Sequence, residues 1–261
     1  MNEQQIKELH KQHWQRGYGS ISWEEAIFIQ GIVETHRPAK VIEIGTATGL
    51  SSGFLCRFMD EFGGQRFTTI DLSTKFYADP SKETGFLLPA IYTGSNIHVQ
   101  RITGKMAIDV EGLDDPHANI AFIDANHQHP WPTLDTLFLF PFMRPPAIVL
   151  HHDLDLFRRQ EPIVWGIGPK FLYDQTPSER RLVKATTEPN IYGIDLAMPK
   201  ADFEAMCAQA LHLPWSVRHP LSFRLLIRIR DFLTQHYSPS FVRAFEKSVD
   251  LYNRANPYAT R

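Results

Sequence analysis

The sequence predicts an α/β fold built on one mostly parallel sheet. Three observations carry this. Short, β-branched apolar runs alternate with helix-like segments as far as Leu150. A glycine-containing loop follows the first of these runs, and an acid closes the second. Beyond Arg181 the pattern changes to two extended runs separated only by Glu188-Pro189. Strand–helix alternation implies parallel βαβ units with right-handed crossovers. Continuous apolar strands fit a sheet covered by helices on both faces.

The elements follow in order. Residues 1–37 read as helical. Ser22 can cap a helix over residues 22–36, and Glu25, three residues on, completes a capping-box pattern. Ala26, Ile27, Ile29, Ile32 and Val33 give that helix a buried side, and Pro38 ends it. Residues 40–45 form a first strand, 46–49 a tight loop, and 51–62 a helix stopped by Gly63-Gly64. Residues 67–71 form the second strand. A helix with a proline-containing insertion is expected over 74–92. Residues 97–102 and 119–124 are the third and fourth strands. Residues 132–143 are helical in character, and 147–150 are a fifth strand leading into His151-His152-Asp153. Residues 181–187 and 190–197 suit an antiparallel pair at one sheet edge. Helices are expected over 201–211, 221–236 and 239–253. No internal repeat is visible. The expected organisation is one domain over residues 1–261: a helical N-terminal extension (1–39), a core (40–197) and a helical C-terminal extension (198–261).

Composition narrows the function classes. The chain has 261 residues, 43% hydrophobic and 21% charged, a globular mixture. Its 27 Lys+Arg against 29 Asp+Glu leave a net charge of −2. That balance speaks against coating nucleic acid or an anionic membrane by bulk charge. No run approaches the roughly 20 apolar residues of a membrane span, and the polar N-terminus has no stretch of signal-peptide type. Cys56 and Cys207 can make neither a disulfide framework nor a four-thiolate zinc site, so a cytoplasmic location is the expectation. The 12 histidines are unusual, and His117, His127, His129, His151 and His152 lie close together. The apolar stripes of the terminal helices suit either a homodimer interface or a cover for the sheet.

The strongest motif is Val41-Ile42-Glu43-Ile44-Gly45-Thr46-Ala47-Thr48-Gly49. A strand runs into a loop with two glycines, then a helix begins. Such a site lies at the carboxyl ends of parallel strands, where open α/β sheets bind ligands. Asp71, at the end of the second strand, can accept hydrogen bonds from the two hydroxyls of a ribose. The loop is neither G-x-G-x-x-G nor a P-loop, so it offers neither a dinucleotide fingerprint nor a triphosphate cradle.

This loop resembles the E/D-x-G-x-x-x-G loop of class I S-adenosylmethionine-dependent methyltransferases, over roughly residues 40–197. The resemblance implies a Rossmann-like, seven-stranded, mostly parallel sheet with an antiparallel last strand. It implies S-adenosylmethionine as cofactor, its methionine part against the loop of Glu43, Gly45, Thr46 and Gly49, and its ribose on Asp71. Gly104-Lys105 falls where the superfamily often contacts adenine, with lysine in place of the commoner acid. The segment Ile123-Asp124-Ala125-Asn126-His127 and the later His152-Asp153 look like a subgroup of small-molecule O-methyltransferases and cephalosporin-hydroxylase-like proteins. Members with a metal hold Mg²⁺ through the strand-four Asp and an acid pair after strand five. The His three residues beyond that Asp is the general base. Carried over, Asp124 and His127 are the catalytic pair and Asp153 matches the second acid, while His152 stands where the first acid would be.

That departure leaves three readings open: Mg²⁺ on Asp124 and Asp153, a transition metal also using His152, or no metal. Mg²⁺ prefers oxygen ligands, whereas imidazole shifts preference toward transition metals. An alcohol is a poor nucleophile until its proton is removed or its oxygen polarised, and a histidine suits a base at neutral pH. The expected activity is methyl transfer to an oxygen of a small, neutral or mildly polar acceptor, a sugar or secondary metabolite. Nucleic acid is disfavoured, since no Asn-Pro-Pro-Tyr-type segment follows strand four. Two rivals stand beside it: a metal-dependent hydrolase or oxygenase on Asp124, His127, His152 and Asp153, and a non-catalytic scaffold. Of the remaining histidines, His151 is expected in packing, His117 and His129 in loops, and the others on helix or strand surfaces. Trp131 could face the acceptor or cap a core edge. The Arg158-Arg159 pair could meet an anion or simply be solvated.

Overall fold

The computed structural model describes residues 1–18, 20–159, 162–183, 190–218 and 221–255. Seven strands form one sheet: β1 (Lys40–Ile44), β2 (Arg66–Asp71), β5 (His98–Thr103), β6 (Ala118–Ile123), β7 (Met143–His151), β8 (Arg181–Val183) and β9 (Tyr192–Asp195). Their order is β5-β2-β1-β6-β7-β9-β8. β1 runs parallel to β2 and β6, β2 runs parallel to β5, and β8 pairs antiparallel with β9. This is the Rossmann-like sheet expected, with its antiparallel edge pair. Residues 184–189, which include part of the expected strand 181–187 and the Glu188-Pro189 link, lie outside the described residues, as does His219.

The chain divides into two compact units, Met1–Ala125 with Phe142–Leu150, and Asn126–Pro141 with His151–Arg261. In the first, α1 (Glu3–His13), α2 (Trp23–His36) and α3 (Leu50–Phe62) pack in succession. Ser22 caps α2, and both capping-box bonds to Glu25 form. α3 buries Phe54, Leu55, Phe58 and Met59 completely, while β1, β2 and β6 contribute Val41, Ile42, Ile44, Phe67, Ile70, Ile120 and Phe122. Each such side chain removed from water stabilises the unit by about 1.5–3 kcal/mol before entropy is counted. In the second unit, α5 (Trp131–Leu139), α6 (Gly168–Gln175), α7 (Lys200–Leu211), α8 (Phe223–His236) and α9 (Pro239–Ala255) pack through neighbouring pairs. Among the described residues, no helix is long and apolar enough to cross a membrane.

Two expectations are corrected. Residues 74–92 are not a helix with an insertion. They form a hairpin, β3 (Lys75–Phe76) and β4 (Asp79–Glu83), and then the single turn α4 (Leu88–Ile91). Pro80 and Pro89 restrict the backbone, and Gly85 sits at a φ of 77°, which no helix accommodates. β7 begins at Met143, not at 147, because Arg144-Pro145-Pro146 is extended rather than a break. Asn119 Nδ2 donates to the Pro145 carbonyl at 2.9 Å, a side-chain contact to the proline stretch.

Candidate active site

The glycine loop is held from three sides within the first unit. Asp71 Oδ2 accepts from the backbone N–H of Thr46 (2.9 Å) and of Ala47 (3.0 Å), and its Oδ1 from that of Ser73 (2.8 Å). Glu43 lies wholly buried behind the loop. Its carboxylate accepts from Ser51 Oγ (2.6 Å), Thr69 Oγ1 (2.6 Å) and Ser52 Oγ. Burial pushes Glu43 up to about 7, against the pull of those three donors. Thr69 Oγ1 also meets Thr46 Oγ1 at 2.6 Å, so one hydroxyl chain ties Glu43 to the loop. Gly45 (φ 94°) and Gly49 (φ 83°) are required by geometry: a Cβ on Gly45 would stand 2.0 Å from the Asp124 carbonyl oxygen, and one on Gly49 would stand 2.9 Å from Gly85 Cα. Ser51 and Ser52, opening α3, are the residues sequence reading passed over. Two serines in the first turn after a glycine loop were the available signal.

Asp124 follows β6, and its N–H donates to the Ile44 carbonyl at 2.9 Å. β6 and β7 are neighbours in the sheet, so the residues after each leave from adjacent strand ends. Asp124 belongs to the first unit, and His152 and Asp153, the other two expected metal ligands, belong to the second. Two carboxylates and one imidazole make a mixed oxygen–nitrogen set, which fits a divalent transition ion better than Mg²⁺.

Within the second unit, His127 Nε2 lies 3.3 Å from Asp153 Oδ2, and His152 Nδ1 lies 3.6 Å from Asp153 Oδ1. Asn190 Nδ2 reaches His152 Nε2 (3.3 Å) and Asp153 Oδ1 (3.4 Å). Sequence reading missed Asn190, because nothing local marks a residue that acts on a turn 37 positions earlier. Asp153 has a φ of 59°, a left-handed conformation that aspartate tolerates better than most residues. Asp135, on α5, is buried and pushed up to about 7, with the nearby His127 opposing the shift.

The other histidines separate by burial. His151 is buried, meets Thr136 Oγ1 at 2.9 Å and stacks on Tyr192; burial lowers it to about 3. His129 is a loop residue as expected, yet fully buried, with its ring edge-on to Phe171 and likewise lowered to about 3. His10, expected on a surface, is buried and bonded to the Ile21 carbonyl. Trp131 is buried at the start of α5. Arg159 pairs with Asp155 and bonds Asn190.

Comparison with known proteins agrees with this architecture. Residues 42–154 match a family model described as a methyltransferase domain. No curated protein matches the chain. Among solved structures, the O-methyltransferase TomG from Streptomyces achromogenes, involved in tomaymycin synthesis and bound to SAM, is 17% identical with a TM-score of 0.52, over 74% of this chain and 88% of that one. An O-methyltransferase from Bacillus cereus in complex with SAH gives 17% and 0.51, over 74% and 90%. A SAH-bound methyltransferase from Podospora anserina gives 15% and 0.54, over 74% and 86%. At such identities the likeness is one of fold. Over residues 42–154 the chain is similar to a methyltransferase domain, set in a Rossmann-like sheet of the same kind.

Proposed function

We propose that the protein transfers a methyl group from S-adenosylmethionine to an oxygen of a small molecule, such as a sugar or secondary metabolite, with His127 as general base. The observation that carries the base assignment is the His127–Asp153 contact at 3.3 Å, in which a carboxylate orients the imidazole. S-adenosylmethionine supplies the electrophilic methyl group. Gly45, Thr46 and Gly49 would offer backbone to its methionine part, and Asp71 would accept from the ribose hydroxyls. Glu43 would act through the loop it anchors. A divalent ion held by Asp124, His152 and Asp153 would polarise the acceptor hydroxyl and ease removal of its proton. His127 takes that proton as the oxygen attacks, and Asp153 stabilises the imidazolium that forms. The balanced charge supports a small acceptor over nucleic acid, and the protein is read as cytoplasmic and as a candidate homodimer.

Titration calorimetry with S-adenosylmethionine tests the reading: absence of binding at millimolar ligand sinks it. His127→Ala is expected to lower turnover by about 10²–10⁴-fold while S-adenosylhomocysteine still binds. A parallel loss of cofactor affinity would argue against His127 as the base.

A further inference from the structure

The loop that carries His127 is bound on both sides by segments distant in sequence. The Gly168 N–H donates to the His127 carbonyl at 2.9 Å, which fixes the start of α6 and, three residues before it, Trp165. The Arg218 N–H donates to Gln128 Oε1 at 2.8 Å. Two residues earlier, Ser216 exchanges two bonds with His129: its N–H to the His129 carbonyl at 2.9 Å, and its Oγ accepting from the His129 N–H at 2.9 Å. These two tethered segments meet. The Arg218 guanidinium lies over the Trp165 indole, 5.0 Å from the ring centroid.

The pairing has a chemical consequence. Arg159, Arg180 and Arg230 each face a carboxylate. Among the described residues, the Arg218 guanidinium has no such partner, only the indole. A guanidinium stacked on an aromatic face keeps its N–H donors in plane and free for a bidentate anion. One side of the group is shielded from water by the ring, which strengthens an in-plane charge-assisted pair. Hydrogen bonds to residues 127, 128 and 129 tie both segments of the stack to the loop that carries the histidine read as the base.

We propose that Arg218, stacked on Trp165, is the specificity-determining residue for the acceptor, and that the acceptor is a small hydroxylated carboxylate. Its carboxylate pairs with the guanidinium while its hydroxyl is presented to His127. This inference rests on reading His127 as the base of an O-methyltransferase.

The test is calorimetric titration of the full chain with salicylate, mandelate and lactate, each against its own amide, and separately with S-adenosylhomocysteine. At least one acid is expected to bind more tightly than its amide, and Arg218→Gln to weaken that acid by about 10–100-fold, to the level of the amide. Arg218→Lys should fall between, since lysine keeps the charge but loses the planar fork. Trp165→Ala should weaken the same acid. Equal binding of acid and amide, an acid affinity unmoved in Arg218→Gln, or no acid bound at millimolar concentration overturns the proposal. The homocysteine arm separates the two failures. Cofactor binding without acid preference removes the carboxylate site alone, whereas acid preference without cofactor binding removes the methyltransferase reading.

Discussion

Gly45 shows how much one hydrogen atom can decide. With a φ of 94° and the Asp124 carbonyl 2.0 Å from where a Cβ would stand, alanine there meets both backbone strain and a backbone clash. The clash is with main chain, so no rotamer change relieves it. We expect Gly45→Ala to cost about 2–5 kcal/mol of stability, read from urea unfolding midpoints. A loss below about 0.5 kcal/mol would mean that the loop relaxes away from β6. The glycine was readable from sequence as a ligand-approach residue. Its contact with Asp124 was not, because the pairing joins strands far apart in the chain.

At the scale of elements, local signals fared well where they were complete. The capping box at Ser22 and Glu25 forms as its spacing implies, with Glu25 N donating to Ser22 Oγ at 3.2 Å. Ser22→Ala should therefore cost about 1 kcal/mol, measured as a shift in the thermal midpoint; no shift would show that tertiary packing alone fixes the α2 start. Local signals failed between Thr74 and Tyr92, where apolar residues mimic helical spacing. The hairpin prevails because Phe76 finds Tyr18 and Phe86 (ring centroids 5.3 and 5.7 Å), while the Tyr77 hydroxyl donates to the Tyr18 carbonyl. Tyr18 comes from another segment, and periodicity carries no information about it. The prolines inside β7 misled for a related reason: Pro145 and Pro146 favour extended backbone as readily as they end a helix.

For the molecule as a whole, four buried titratable groups oppose one another. Burial raises Glu43 and Asp135 to about 7 from ordinary values of 4.5 and 3.8, and lowers His129 and His151 to about 3 from 6.5. Near pH 5–6 the native state keeps two protons on the acids that the unfolded chain has released. The unfolded chain in turn holds two on the histidines that the native state excludes. The counts cancel, so stability should be flat across that window. Below about pH 4.5 the unfolded chain regains the acids' protons while the native histidines stay neutral, and stability falls with acid. Above about 6.5 the histidines add nothing more, and the acids lower stability slightly until they ionise near 7. Asp135→Asn removes one side of the balance: stability should then rise by about 1.4 kcal/mol per pH unit between roughly pH 5 and 6. Urea titrations at several pH values check this, and an unchanged flat profile in the variant would count against a neutral buried Asp135.

The amino-acid sequence by itself determined the alternation of strands and helices, the glycine loop with Asp71 behind it, the antiparallel edge pair and the spacing of His127 from Asp124. These features are local, periodic or set by their order along the chain. Only the tertiary structure decided what those residues touch. It buried Glu43 among Ser51, Ser52 and Thr69, bound Asn190 to His152 and Asp153, and set Arg218 on Trp165 beside the His127 loop. The partners come from distant segments and meet through the packing of whole elements. The histidines make the point most plainly: one residue type, alike in sequence, divides into buried neutral packing at His129 and His151 and a carboxylate-paired imidazole at His127, because burial and neighbouring charge are properties of the fold.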